Sequence, residues 1–404
     1  MSTFPVMKRG ALPILFVYVI VVLLGFSLIM PLLPYYAKLF NASPFMIGLL
    51  LASNALAQII GIPIIGRLSD RFGRRPLILL GTAAGAVSFL ILGFARSLPV
   101  LFAARILDGL LGGNVALAQA YITDITEERD RARSLGMIGA AFGIGFIFGP
   151  ALGGFLSRWG YGVPSFAAAG LSLINFVWVL AALPESLTAE RRAAIAVSAR
   201  PPVTAAALVR ALREPVVGPL LTTRLFYALA FGVFQSSFAL WASSRLGFSA
   251  QSTSLVLAYV GVLSVLVQGA AIGPLTRRFS ERTLIVAGIV ILAASLLAWA
   301  FVSTLALLLV VLAPTALAGG VLNVALTSSL TKAVHRDEVG GSLGMATALQ
   351  GVASVAAPVI GGVLLQKVGG WSLGALAAFI LAGLAAFAAA AIRAPQPSAV
   401  PPGG

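Results

Sequence analysis

Residues 134–154 read SLGMIGAAFGIGFIFGPALGG, and residues 342–362 read SLGMATALQGVASVAAPVIGG. Ser134-Leu135-Gly136-Met137 returns as Ser342-Leu343-Gly344-Met345. Gly143, Pro150, Gly153 and Gly154 return as Gly351, Pro358, Gly361 and Gly362. Every pair is 208 residues apart, without a gap. Upstream of each copy, GRLSDRFGRRPLIL (66–79) is echoed by GPLTRRFSERTLIV (273–286) at a spacing of 207. A repeat on this scale makes the chain two copies of one structural unit. Both copies are strongly apolar, so the unit is a bundle of membrane helices. Parallel repeats of six helices are related by an axis along the membrane normal, with a substrate site between them near mid-membrane.

Composition agrees. Of 404 residues, 59% are hydrophobic and 10% charged, against about a quarter charged in soluble domains. A mean hydropathy of +1.03 is too high for one soluble core, and lipid must be the solvent for much of the surface. The 43 glycines suit membrane helices, where small residues let backbones approach. A bilayer core of about 30 Å needs about 20 apolar residues per helix. Twelve such runs lie near 11–34, 45–66, 76–96, 99–122, 134–156, 164–183, 216–241, 252–274, 283–303, 304–330, 341–365 and 371–392. Open β structure is excluded in lipid because strand edges stay unpaired there. The first run follows Lys8 and Arg9 as a signal peptide would, but it is too long for one and reads as a retained helix.

The expected fold is therefore all-α, with twelve transmembrane helices in two six-helix bundles related by a pseudo-two-fold axis. Residues 1–184 form the first bundle and 216–394 the second. The polar stretch 185–215, with Pro201 and Pro202, is a cytoplasmic linker, helical around Thr204–Leu212. The Pro/Gly-rich tail 395–404 is expected to be disordered. Alternate loops carry 20 and 5 basic residues, which puts both termini in the cytoplasm of a plasma (inner) membrane protein. This placement also explains the net charge of +15 without nucleic acid, since no dense basic tract with interleaved aromatics occurs. With no cysteine and one histidine, His335, disulfides, zinc sites and nucleophile–base catalysis are set aside. No cofactor or metal is expected, and no enzyme activity.

The loop Gly66-Arg67-Leu68-Ser69-Asp70-Arg71-Phe72-Gly73-Arg74-Arg75 resembles the loop 2–3 signature of the major facilitator superfamily. Gly73 permits a tight turn with φ > 0. The resemblance implies a gating role for Asp70, with Arg71 and Arg74 around it. In the family this acid meets a helix start in the other half, here near Gly341 and Ser342, where a carboxylate gains about 0.3–1 kcal/mol. The second copy has Arg277 and Ser280 in place of Asp70 and Gly73, so such a latch is one-sided.

Gly136-x8-Gly145-x3-Gly149-Pro150-x2-Gly153-Gly154 resembles the fifth-helix motif of the drug:proton antiporter branch at every defined position. Gly145, Gly149 and Gly153, four apart, make one smooth stripe, and Pro150 frees a backbone bond. The expected role is close, sliding contact with a helix of the other half. In that branch the motif goes with exporters. The fourth run carries Arg105 and Asp108 on one face. Counting from Pro99, Arg105 lies roughly 9 Å inside at ~1.5 Å per residue. Charges at that depth cost about 2.5–3.5 kcal/mol and are functional candidates. Arg105 matches the family's buried arginine. Within the predicted core Arg105 and Asp108 are the groups that clearly carry charge, and since arginine does not deprotonate, Asp108 is the candidate proton carrier. Asp124, at the inner end of the same run, is the fallback carrier, although its expected exposure favours a capping or loop-anchoring role.

Ser27-Leu-Ile-Met30-Pro31, Ala120-Tyr-Ile-Thr-Asp124, Leu183-Pro-Glu-Ser186 and Gln235 with Ala239-Leu-Trp241 resemble the tetracycline exporters, the likeness being strongest in the first half. Those exporters carry an acid in helix 1 where this chain has Val22. By resemblance helices 1, 4, 7 and 10 line the cavity, giving Ser27, Met30, Asn114, Tyr227, Phe231, Gln235, Asn323 and Thr327 as candidate substrate contacts. Met and aromatic surfaces with few polar anchors suit varied lipophilic ligands. The expected protein is a monomeric, proton-coupled exporter of small lipophilic compounds. A proton-coupled importer and a non-transporting receptor of the same fold are the alternatives.

Overall fold

The computed structural model describes residues 10–188, 205–335 and 338–392; the expected tail and most of the expected linker lie outside them. Among the described residues twelve helices are long and apolar enough to cross a membrane. They are α1 (Ala11–Lys38), α2 (Pro44–Phe72), α3 (Arg74–Gly93), α4 (Leu98–Ile125), α5 (Arg133–Trp159) and α6 (Gly162–Ala182), then α7 (Val217–Leu246), α8 (Ala250–Arg278), α9 (Glu281–Ala300), α10 (Leu305–Lys332), α11 (Val339–Lys367) and α12 (Trp371–Ala391). A short helix, Ala205–Leu212, precedes α7.

Local chemistry sets the helix ends. The Ser43 hydroxyl accepts from the Met46 amide at 3.3 Å at the start of α2, with Pro44 in the first turn. Ser280 does the same for Thr283 at the start of α9, and Thr304 for Leu307 at the start of α10. Such caps satisfy amides that have no partner inside the helix. Gly73 joins α2 to α3 at φ 107°, a backbone conformation that only glycine adopts cheaply. Several helices carry a proline or an interruption that weakens the backbone ladder. Pro63, Pro150, Pro314 and Pro358 sit inside α2, α5, α10 and α11. α4 is interrupted at Gly112 and Gly113, and α8 contains a wide turn at Val267–Ala271. Large apolar side chains such as Phe379 and Ile174 are mostly exposed, which is affordable only where lipid meets them.

The contacts divide the described chain into two compact units. One gathers α1–α6 with Gln235–Val262 and Ser354–Gly370. Its backbones approach through glycine. A Cβ on Gly109 would lie 2.5 Å from the Asn54 carbonyl, and one on Gly61 would lie 2.7 Å from the Leu110 carbonyl carbon, so α2 and α4 touch directly. In the same unit the Tyr35 hydroxyl is 2.6 Å from Thr253 Oγ1 and within 3.2 Å of the Ala239 and Phe248 carbonyls. The Phe45 amide donates to Gln366 Oε1 at 3.2 Å, and Gly362 packs on the Pro44 carbonyl.

The second unit holds Val203–Phe234, Leu263–Ala353 and Trp371–Gly404. Gly374 of α12 packs on α9 at Leu296 and Ala300, and Gly288 of α9 packs on Leu322 of α10. Trp299 is fully buried and meets Phe234 edge to face at 4.9 Å. Glu281, at the start of α9, accepts from Ser328, from Ser329 at 3.1 Å and from Lys332 at 2.7 Å. Four polar groups thus knot α9 to the end of α10.

Candidate functional site: charged clusters in the membrane helices

The α2–α3 turn organises the first cluster. Arg74 reaches Asp70 at 2.6 Å, Asp124 at 3.1 Å and the Ser69 hydroxyl at 2.5 Å. Ser186 donates to Asp124 at 3.1 Å. Glu185 accepts from the Arg74 and Arg75 amides at 2.9 and 3.2 Å, so a carboxylate caps the α3 N-terminus where the helix dipole favours it. Asp70 is half-exposed, while Arg71 is exposed and lies over the Phe72 ring. The expectation of an exposed Asp124 is corrected here: it is only 7% exposed. The last turn of α4 tucks beneath the loop, and a carboxylate in that position requires the guanidinium it has. Through Arg74 and Ser186 it ties the end of α4 to the α2–α3 turn and to the segment after α6. Glu185, quoted only as part of a resemblance, turns out to be the cap. Its position two residues after the sixth run gave no such signal.

The glycine stripe of α5 faces α1. A Cβ on Gly145 would lie 2.9 Å from Leu23 Cβ, one on Gly149 would overlap the Ser27 hydroxyl, and one on Gly153 the Leu28 carbonyl. The partner is thus a helix of the same half, which corrects the expected contact with the other half. Gly154, one position round the helix, meets Gln251 and Ser254 of α8. Spacing of four defines a face but carries no information about what covers it. Ser27 is 1% exposed and donates to the Gly145 carbonyl at 2.7 Å, so here it packs α1 on α5. Pro150 lies within α5 beside this stripe.

The second cluster is in α4. Arg105 is 3% exposed and pairs with Asp108 at 3.1 Å. Asn54 of α2 donates to Asp108 Oδ2 at 3.1 Å and to the Arg105 carbonyl at 2.8 Å, and Gln58 donates to Asn54 at 2.8 Å. The guanidinium stands 5.9 Å from the Phe26 ring, and its Nε has no partner. Asp108 is half-buried. The acid is thus held between a guanidinium and an amide. Sequence reasoning found the pair but missed Asn54 and Gln58. Two amides four residues apart in an apolar run were the available signal. Asn114, where α4 resumes after its break, is buried with Oδ1 unpartnered.

The third cluster was missed. Arg224 lies in α7, inside the run 216–241, yet in none of the loops whose bases set the topology. It corrects the expectation that Arg105 and Asp108 are the charged groups of the core. Its Nη1 donates to Thr327 at 3.1 Å, while Nη2 makes long contacts with Asn323 at 3.5 Å and Gln350 at 3.4 Å. Nε is unpartnered. Beyond Arg224 along α7, Tyr227 stacks on Phe231 at 5.8 Å and donates to the Gly319 carbonyl at 3.2 Å. Phe231, Asn323, Tyr227 and Thr327 of the expected substrate set thus gather in one place. Met30 is half-buried in the other unit, and Gln235 is exposed there.

The Major Facilitator Superfamily profile matches residues 15–272 and 220–404. The tetracycline resistance protein class C of Escherichia coli is 34% identical over 341 residues, 83% of this chain and 85% of that protein. Multidrug resistance protein 2 of Bacillus subtilis is 30% identical over 353 residues, 86% of each. Among solved structures, the D-xylose-proton symporter superposes with a TM-score of 0.76 at 18% identity, covering 96% of this chain and 98% of that one. The human organic anion transporter MFSD10 (TETRAN) gives 0.71 at 21%, covering 94% and 99%. These two carry the fold alone. The chain is a multi-pass membrane transporter that belongs to the Major Facilitator Superfamily. Within it the chain groups with the tetracycline and multidrug resistance proteins, in the drug:proton antiporter branch to which its fifth-helix motif pointed.

Proposed function

We propose that this protein exports small lipophilic compounds in exchange for protons by alternating access. It works as a monomer in the plasma (inner) membrane with both termini in the cytoplasm. The bundles 1–184 and 216–394, joined by 185–215, rock about a site between them. The observation that carries the proton coupling is the Arg105–Asp108 pair, an acid held at 3.1 Å from a buried guanidinium inside a membrane helix. Asp108 is the acid that carries the proton, taken up when one side is open and released when the other is. The resistance proteins to which the chain is similar support export of drug-like compounds.

In this reading Asp70, Arg71, Gly73 and Arg74 gate one face. Gly145, Gly149, Pro150, Gly153 and Gly154 supply the close-packed α5 along which the bundle flexes. Met30, Asn114, Phe231, Gln235 and Asn323 contribute to the substrate path. The test is transport by inverted membrane vesicles under an imposed proton gradient, using a panel of lipophilic drugs. Gradient-dependent accumulation that collapses with an uncoupler supports the reading. Accumulation only by right-side-out vesicles would make the protein an importer.

A further inference from the structure

Two arginines stand within the membrane-spanning helices away from the loops, and they are treated differently. Arg105 has its own aspartate. Arg224 has none: among the described residues no carboxylate lies within ion-pair distance of it, and its three partners are a hydroxyl and two amide oxygens. Neutral dipoles orient a guanidinium but do not neutralise it. Ionisable groups inside membrane helices face a protein interior or a watery cavity and carry a partner. Here the partner position is open.

The arginine is also held by neighbouring helices, as a free surface anchor is not. Arg224 is seven residues into α7, about 10 Å from the Val217 end at 1.5 Å per residue. Its shortest contact, Thr327, is five residues from Lys332, about 7 Å in, while its two long contacts lie deeper. Asn323 is nine residues from Lys332, about 13 Å, and Gln350 eleven residues from Val339, about 16 Å. These three helix ends are on one side of the membrane, because successive spans alternate. A snorkelling arginine would carry its head back towards that side. This one is held sideways, between Thr327, Asn323 and Gln350 of two neighbouring helices, with the stacked Tyr227 and Phe231 further along α7.

We propose that Arg224, Asn323, Thr327 and Gln350 form a subsite for the anionic head of the substrate. The ligand class is a small aromatic or alicyclic carboxylate, its apolar body lying along Tyr227 and Phe231. A guanidinium matches carboxylate geometry as no ammonium does, and the two long Nη2 contacts leave that nitrogen under-satisfied and free to be recruited. The proposal rests on the transport reading above and adds the charge of the cargo to it.

The test uses three ligands with one ring system: 2-naphthoate, its methyl ester, and 2-naphthylmethylammonium. Affinities are measured by equilibrium dialysis with the full-length protein in detergent. The wild type should bind naphthoate at least tenfold more tightly than the ester or the cation. Arg224→Gln should abolish that preference while ester affinity stays within twofold, and Arg224→Lys should keep part of it. Should Arg224→Gln fail to fold, Asn323→Asp decides, since it leaves the arginine in place and supplies the missing counterion. Equal affinity for naphthoate and ester in the wild type, or a preference that survives both substitutions, overturns the subsite. Vesicle transport separates the two claims. Transport of ester and cation without an anion preference leaves export standing and sinks the subsite. Anion-selective binding with no transport does the reverse.

Discussion

Gly149→Ala adds one methyl group at the tightest point of the α1–α5 seam. The new Cβ would overlap the Ser27 hydroxyl and lie 2.9 Å from Ser27 Cβ and 3.0 Å from the Leu28 amide nitrogen. Ser27 is buried, and its hydroxyl donates to the Gly145 carbonyl at 2.7 Å. The helices must part, or Ser27 must turn and lose its bond. Overpacking of this kind costs about 1–3 kcal/mol, and an interhelical hydrogen bond in a membrane averages about 0.6 kcal/mol. The expected destabilisation is therefore about 2–4 kcal/mol. Reversible unfolding in mixed SDS micelles, followed by tryptophan fluorescence, measures it. Ser27→Gly removes both side-chain atoms from the clash, so the double variant should recover at least about 1 kcal/mol relative to the sum of the singles. A Gly149→Ala protein as stable as wild type, or strictly additive single variants, would refute the contact on which the argument depends.

Asp108→Asn should abolish proton-driven accumulation in inverted vesicles while ligand binding persists; pumping with unchanged pH dependence would put the proton carrier elsewhere. Asp124→Asn takes a charged partner from buried Arg74 and should cost about 1.5–3 kcal/mol in the same unfolding assay. Glu185→Gln removes only the charge at the α3 start and should cost about 0.3–1 kcal/mol, and a reversed order would contradict the cluster as described. For topology, the chain lacks native cysteine, so an Arg278→Cys variant at the exposed end of α8 reports cleanly. It should resist impermeant maleimide in intact cells and react after permeabilisation.

The helices were legible in the sequence because lipid demands length and apolarity, and both are local properties. The 208-residue repeat made the architecture readable for the same reason. Partners were harder. The stripe Gly145, Gly149, Gly153 announced a close contact, but only three dimensions show α1 lying on it. Asp124 sits where α4 ends, and nothing local reveals that the Arg74 turn folds down over it. Arg224 was legible and overlooked: a count of loop charges passes over a base inside a span, and a span containing one arginine still scores as apolar. The amides Asn54 and Gln58 were hidden the same way, each too weakly polar to stand out alone, although Asn54 binds Asp108 and Gln58 orients Asn54.

Tyr35 offers a practical handle. One phenolic oxygen lies within hydrogen-bond distance of Thr253, Ala239 and Phe248, so three stretches of chain share a single atom. A hydroxyl has one proton to give, and two of those neighbours are carbonyls that can only accept. Thr253 must therefore be turned to donate for the arrangement to be satisfied. Tyr35→Phe deletes the shared atom and preserves almost all the shape. For protein engineers who want to bias this molecule towards one conformation for imaging or inhibitor screening, that edit loosens a junction without leaving a hole.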